Sequence, residues 1–279
     1  LPVVHPPNAN KKYGGGLYQL KINGHKWQYK KVISGNCYGL LKLDNKLYVI
    51  DEERGVTVLN KNLQIVKSFP IISDQRPHGI SYHNKSKQFF INATKQDSIL
   101  VYDNQFNLKK IISITDKNLS EDKKHHVNDN LIINNSLYVS MFSFSGNLKK
   151  GIYDGVILKY NLLNLDNKPI VIIKNLSMPH SIKYYNKSLF VLNSLMGEIL
   201  RYDKQIIGKF PGFTRGLAYN DKYFFIGQSK NRNYSKINSN IKGVAIDSGI
   251  IVFNEKNKVF RFCQVDPRIS EIHAIEILS

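Results

Sequence analysis

The sequence predicts an all-β protein, a six-bladed β-propeller with four-stranded antiparallel blades. Three observations predict it. First, a small residue, an alternating apolar strand and a closing Asn or Asp recur six times. These copies end at Asn23, Asn60, Asp103, Asn161, Asp203 and Asn254, at intervals of 37, 43, 58, 42 and 51 residues. Second, a strand, a polar turn and an aromatic strand precede the later copies: "YGLLKLDNKLYVID", "HGISYHNKSKQFFIN", "NDNLIINNSLYVS", "HSIKYYNKSLFVLN" and "RGLAYNDKYFFIG". Third, period-two alternation with Asn, Asp, Gly and Lys turns reads as strand throughout, and no segment carries a capped 3.6-residue pattern. Four strands per unit of about 40–50 residues, repeated, is a propeller signature.

Taken in order, the chain enters at a third strand, residues 16–23, and its hairpin partner. It ends with "HAIEILS", expected as an innermost strand over 272–278. Joined in one blade, the two ends would close the ring and remove exposed sheet edges. The second strand of that blade would come from residues 1–10, where three prolines disfavour a central strand. The whole of 1–279 is read as one propeller domain.

The first residue of each inner strand is expected at the mouth of the channel. The aromatic of the second strand sets the register. Ten residues before Tyr48, Tyr138, Phe190 and Phe225 stand Tyr38, Asn128, His180 and Arg215. His78 takes the same place behind a turn two residues longer, and His273 takes it by its own segment. "HHVND" adds His125, His126 and Asp129. Three of the eight histidines thus fall on one expected ring. The same face receives the long connections "ITDKNLSEDKKHH", "MFSFSGNLKKGIYD" and "GQSKNRNYSKINSNIKGVAID". Long loops on one end of a rigid scaffold are where binding and catalysis concentrate.

Forty Lys and Arg against 21 Asp and Glu give a formal charge of +19. That balance favours polyanions, although the lysines are scattered through turns, as a lysine- and asparagine-rich coding bias also produces. With no basic stripe or stacking array, nucleic acid is disfavoured as a partner. Two cysteines do not build a disulfide scaffold. No apolar run reaches membrane-span length and no signal-peptide pattern opens the chain; with the two cysteines, this favours the cytoplasm. Nucleotide-binding glycine motifs, Cys-x-x-Cys pairs and acyl-serine elbows are absent from the sequence.

The segments "RPHGISY", "HHVNDN", "MPHSIKYYNKSLFVLNS" and "FPGFTRGLAYNDKYFFIGQSKNR" resemble a bacterial family of six-bladed propeller-like proteins over roughly residues 36 to 275. More distantly, the architecture is similar to the gluconolactonase and strictosidine-synthase-like propellers. The closer resemblance implies fold and site position. In gluconolactonases a divalent metal is held largely by Glu, Asn and Asp; here those places hold Tyr38, His78, His180 and His273, so lactonase activity does not carry over.

Several imidazoles around one point suit Zn²⁺, Mn²⁺, Fe²⁺ or Ni²⁺ better than Ca²⁺. The expected ligands are His78, His180, His273 and His126. A metal-free His/Arg/Tyr site and purely structural histidines are the alternatives. Catalytic roles fall to His126, His180, Tyr38 and Arg215. Arg215, Asn128 and Asp129, with Lys230 and Arg232 of "KNRNYSK", are expected to bind substrate, Arg215 by its bidentate fork unless it pairs with an acid such as Asp129. The expected activity is metal-assisted hydrolysis, elimination or epimerisation of a small or polymeric anionic substrate, with carbohydrate the favoured class. The competing reading is a non-catalytic propeller that grips a glycan or protein.

Overall fold

The computed structural model describes residues 15–24, 26–72, 75–114, 124–230 and 243–278, and the backbone of 2–4. All regular structure there is strand, apart from single 3₁₀ turns at Leu148–Lys150 and Ser194–Met196. No helix is long and apolar enough to cross a membrane.

The chain begins with β1 (Pro2–Val4), β2 (Gly16–Asn23) and β3 (Lys26–Ser34). The first blade is β4 (Cys37–Leu43), β5 (Lys46–Asp51), β6 (Gly55–Leu59) and β7 (Ile65–Phe69). The second is β8 (Pro77–His83), β9 (Gln88–Ala93), β10 (Ser98–Tyr102) and β11 (Leu108–Ser113). The third is β12 (Val127–Ile133), β13 (Ser136–Met141), β14 (Gly155–Asn161) and β15 (Ile170–Leu176). The fourth is β16 (Pro179–Tyr185), β17 (Ser188–Asn193), β18 (Glu198–Arg201) and β19 (Ile206–Lys209). The fifth is β20 (Phe213–Asn220), β21 (Tyr223–Ser229), β22 (Gly249–Asn254) and β23 (Val259–Gln264). In every one, consecutive strands are neighbours in the sheet. The protein is therefore an all-β propeller of four-stranded antiparallel blades.

The expected count of six blades is corrected to five. The remaining sheet runs β24–β1–β2–β3, where β24 is only Glu271–Ile272. Beyond the β2–β3 hairpin it is held by two residue pairs on each side of β1: Pro2↔Leu17 and Val3↔Gly16, then Val3↔Ile272 and Val4↔Glu271. The inner strand expected over 272–278 stops at Ile272, and 273–278 carries no strand. A three-residue β1 that begins at a proline offers too few backbone donors and acceptors to extend the ladder.

The chain forms two compact units. One is Leu1–Phe69 with Leu195–Glu198 and Ile207–Ser279; the other is Pro70–Ser194 with Ile199–Ile206. In the second unit, Phe90, Ile99 and Val101 of the second blade pack on Val127, Leu137, Val139, Met141, Val156 and Leu158 of the third. Ile157 and Ile173 of the third blade continue onto Ile182, Leu189 and Val191 of the fourth. In the first unit, Tyr18 joins Ala218, Ile250, Cys263 and Ile272, and Leu17 joins Cys37, Leu40, Leu47, Val49 and Leu59. The middle strands are apolar on both faces, as β6 and β10, buried at every position, show; both faces must be covered, and each buried aliphatic chain contributes about 1.5–3 kcal/mol.

The register set by the aromatics is the one observed. Tyr48 pairs with Leu41, Phe90 with Ser81, Tyr138 with Leu131, Phe190 with Lys183 and Phe225 with Ala218. Each partner lies three residues after Tyr38, His78, Asn128, His180 or Arg215 respectively. At those five positions the ladder also slips. Cys37↔Asp51 is followed by Leu40↔Val49, and equivalent shifts occur at Pro77/Ile80, Val127/Asn130, His180/Lys183 and Arg215/Leu217. One extra residue on the inner strand is a β-bulge, which bends the strand and re-aims a side chain.

Inner strands meet closely just beyond the bulge. A Cβ on Gly79 would lie 2.5 Å from Asp129 Oδ1, 2.7 Å from Asn130 N and 2.8 Å from Asp129 Cα. Two of those three atoms are backbone, so the contact cannot be relieved by a rotamer change. Gly79→Ala is expected to lower stability by about 1–3 kcal/mol, read as a drop in the urea midpoint with an unchanged m value.

Candidate functional site

In the second unit, His78 and His180 occupy the same bulge position in two blades, and the structure holds them in the same way. His78 Nδ1 lies 2.9 Å from the Arg76 carbonyl oxygen and 3.0 Å from Thr94 Oγ1. His180 Nδ1 lies 2.9 Å from the Met178 carbonyl oxygen and 2.8 Å from Ser194 Oγ. A carbonyl cannot donate, so Nδ1 carries the proton in both rings and Nε2 is the acceptor of the neutral imidazole. Thr94 and Ser194 are equivalent as well: each follows the residue that pairs with the proline before its histidine, Ala93 and Asn193. The carbonyls are aimed by left-handed backbone, φ 46° at Arg76 and 53° at Met178. Such angles are uncommon for these residue types.

The third blade keeps the backbone and changes the side chains. His126 has φ 56° and takes the place of Arg76 and Met178. Asn128 stands where the histidines stand. Phe142, after Met141, which pairs with Val127, takes the place of the hydroxyls. The rings then form a row: His78 to His126 at 5.9 Å, His126 stacked on Phe142 at 4.1 Å, and Phe142 edge-on to His180 at 4.9 Å. His125 belongs to the scaffold, with Nδ1 donating to Ser143 O and its amide to Asp97.

Asp129 bridges inner strands. Its Oδ1 accepts the Asn130 amide and its Oδ2 the Ile182 amide. Burial pushes its carboxyl up to about 6, against the pull of Lys183 and the backbone amides of Asn130, Ile182 and Ser181. The carboxylate thus ties the third blade to the residues just after His180.

In the first unit, Arg215 is paired, but not with Asp129. Its Nη1 donates to Glu271 Oε2 at 2.9 Å, and His273 Nε2 lies 3.1 Å from the same oxygen. All three side chains are less than 10% exposed. The Tyr38 ring meets His273 edge-on at 5.0 Å, and its hydroxyl donates to Glu52, which also accepts Asn36. Lys230 is exposed and its amide donates to Ser270 O. Arg232 lies outside the described residues.

The sequence reading missed Glu271, Glu52, Phe142, Thr94 and Ser194. Glu271 was legible as an acid two residues before His273 in "EIH". The two hydroxyls follow from the strand register once the bulge is known.

The metal expectation does not find its ligand set. Among the described residues no three His, Cys, Asp or Glu side chains gather as ligands for an ion. The Phe142 ring packs against both His126 and His180, putting a side chain with no ligand atom between them. No chemical step is therefore assigned to a metal.

Five four-stranded antiparallel blades, with a histidine at the inner-strand slip of the second and fourth, define the chain as a β-propeller. The chain matches over residues 20–279 the family described as Domain of unknown function (DUF4915), and belongs to it. No curated protein matches it by sequence. Among solved structures it is similar to virginiamycin B lyase from Staphylococcus aureus, at 13% identity and TM-score 0.55, over 85% of this chain and 73% of that one. It is similar to a protein assigned to the gluconolactonases, at 13% identity and TM-score 0.55, over 92% and 82%. A calcium-binding protein, regucalcin from Agrobacterium tumefaciens, aligns at 10% identity and TM-score 0.55, over 80% and 72%. At these identities the likeness shows the fold.

Two outcomes test this description. The folded protein holds a proton on Asp129 that the unfolded chain releases near pH 4. Asp129 therefore contributes stability at low pH that is lost as pH rises through about 6. Against wild type, Asp129→Asn should remove a decline on the order of 2–3 kcal/mol between pH 4 and 7, measured by urea unfolding across that range. Glu271→Gln leaves the Arg215 charge buried without its counter-charge. It should cost about 3 kcal/mol or more, and an unchanged midpoint would show the pair to be dispensable.

Proposed function

We propose that this protein is an enzyme that moves protons on a polar anionic substrate, with carbohydrate the favoured class, in an elimination, epimerisation or hydrolysis. One observation carries the reading: two imidazoles in equivalent bulges, each fixed by an Nδ1 donor bond to a carbonyl and a hydroxyl. Fixing the tautomer makes Nε2 the proton acceptor before any substrate arrives, which is what a general base requires. His126, stacked beside them on Phe142, is the third imidazole of the site. The anionic preference rests on the +19 charge. The fold likeness to a lyase and to a protein assigned to the gluconolactonases supports an enzyme in general terms. Tyr38 and Arg215 are given no step, because Glu52 and Glu271 engage them.

The non-catalytic reading is favoured by the same carbonyl bonds, since they also immobilise the rings as structural parts would. The two readings separate on a panel of polyuronates, sulfated glycans and sugar acids. Elimination appears as a new ultraviolet-absorbing double bond, hydrolysis as new reducing ends and epimerisation as a changed proton spectrum. His180→Ala and His78→Ala should each lower turnover by about 100-fold or more, and His180→Ala, which strands the Met178 carbonyl and the Ser194 hydroxyl in a buried place, should also lower the melting temperature. Binding of a panel member with no turnover by wild type would give the lead to the binding propeller.

A further inference from the structure

We propose that Asn128, between His78 and His180, is the donor of a hydroxyl-binding site for a polyhydroxylated carbohydrate. The ligand oxygen accepts from Asn128 Nδ2, and its proton points to an imidazole Nε2. The inference rests on the proposed function for its ligand class only.

The first argument is an orphaned donor. Asn128 is 4% exposed, and its Nδ2 has no hydrogen-bond partner among the described residues. A buried N–H left unmade costs on the order of 1–3 kcal/mol, and a ligand or water oxygen that accepts from it removes that cost. The reason for the orphan is local. In the second and fourth blades the bulge residue meets a hydroxyl, Thr94 or Ser194. In the third blade that place holds Phe142, which has no oxygen to accept the amide.

The second argument is register. The residues after the three bulge positions lie side by side across neighbouring inner strands. Gly79 abuts Asp129 Cα, and Asp129 reaches the Ile182 amide. His78, Asn128 and His180 therefore stand in one row across β8, β12 and β16, at the same point of the same bulge. The row offers one N–H donor flanked by two imidazoles whose acceptor is Nε2. A single oxygen that accepts from one side and donates to the other is a hydroxyl, which a carbohydrate supplies in place of water. A carboxylate could accept from Asn128 but has no proton for Nε2, and an ammonium could donate but not accept. Beside the row, the Phe142 ring supplies an apolar surface of the kind a pyranose C–H face covers.

Two variants and one probe test this. Asn128→Leu keeps the branched shape of the side chain and removes the orphan. It should raise the melting temperature by about 2–4 °C, whereas a structural Asn128 would make it fall. In calorimetric titration with glucuronate, Asn128→Leu and Asn128→Ala should bind at least about tenfold more weakly than wild type. One of the glucuronates with a single hydroxyl replaced by hydrogen should bind wild type as weakly as glucuronate binds Asn128→Ala, and should lose nothing further in that variant. A lower melting temperature in Asn128→Leu, equal glucuronate affinity in wild type and variants, or no glucuronate binding by wild type would each overturn the inference. Glucuronate binding that depends on Asn128 but proceeds without turnover would leave this site standing and remove the proton-transfer reading. Turnover of a panel substrate that ignores Asn128 would do the reverse.

Discussion

One extra residue in each inner strand, at the same place in five blades, is the constraint on which the rest of the molecule depends. A strand that carries one residue more than its partner leaves the ladder for a moment. His180 and Arg215 are still paired at that point, with Leu192 and Gly227, and the extra residue follows them and turns the strand out of its strict in-and-out alternation. The backbone must then return to register within a few residues. Left-handed angles at Arg76, His126 and Met178 accompany that excursion, as does the absence of a Cβ at Gly79.

A repeated backbone device can hold unlike chemistry. In the second and fourth blades the position beside the slip carries a histidine, and a hydroxyl at the end of the next strand receives it. The third blade exchanges both members together, histidine for Asn128 and hydroxyl for Phe142. In the other unit the fifth blade places Arg215 there, where Glu271 pairs with it and His273 meets the same Glu271 oxygen. A buried Arg–Glu pair is expensive to break rather than strongly stabilising in itself. Its presence at a bulge position therefore speaks more for a fixed geometry than for added stability.

Much of this was legible in advance because a β-hairpin is a local object. The aromatic at Tyr48, Tyr138, Phe190 or Phe225 and the residue ten before it are joined by one short turn, so counting along the chain locates the bulge position without knowledge of any other blade. The companions of those residues were not legible in the same way. Phe142 reaches His180 from the neighbouring blade, and Glu271 reaches Arg215 from 56 residues away. A gathering of histidines along one expected ring looked like a ligand set. The phenyl ring packed between two of them, invisible to spacing, shows why spacing alone does not make one.

The sequence by itself determined the strand class, the four-strand unit and the equivalence of His78, Asn128, His180 and Arg215. Alternation and hairpin register are short-range, and each is written in a dozen consecutive residues. The tertiary structure alone decided the blade count and the partners. Whether the two chain ends make a full blade depends on pairing between residues at opposite ends of the sequence. There Pro2 and the brevity of β1 limit the ladder to two residue pairs on each side. Whether a bulge residue finds a hydroxyl, a carboxylate or a phenyl ring likewise depends on what a different strand brings beside it. That is settled by packing between strands and not by any pattern within one.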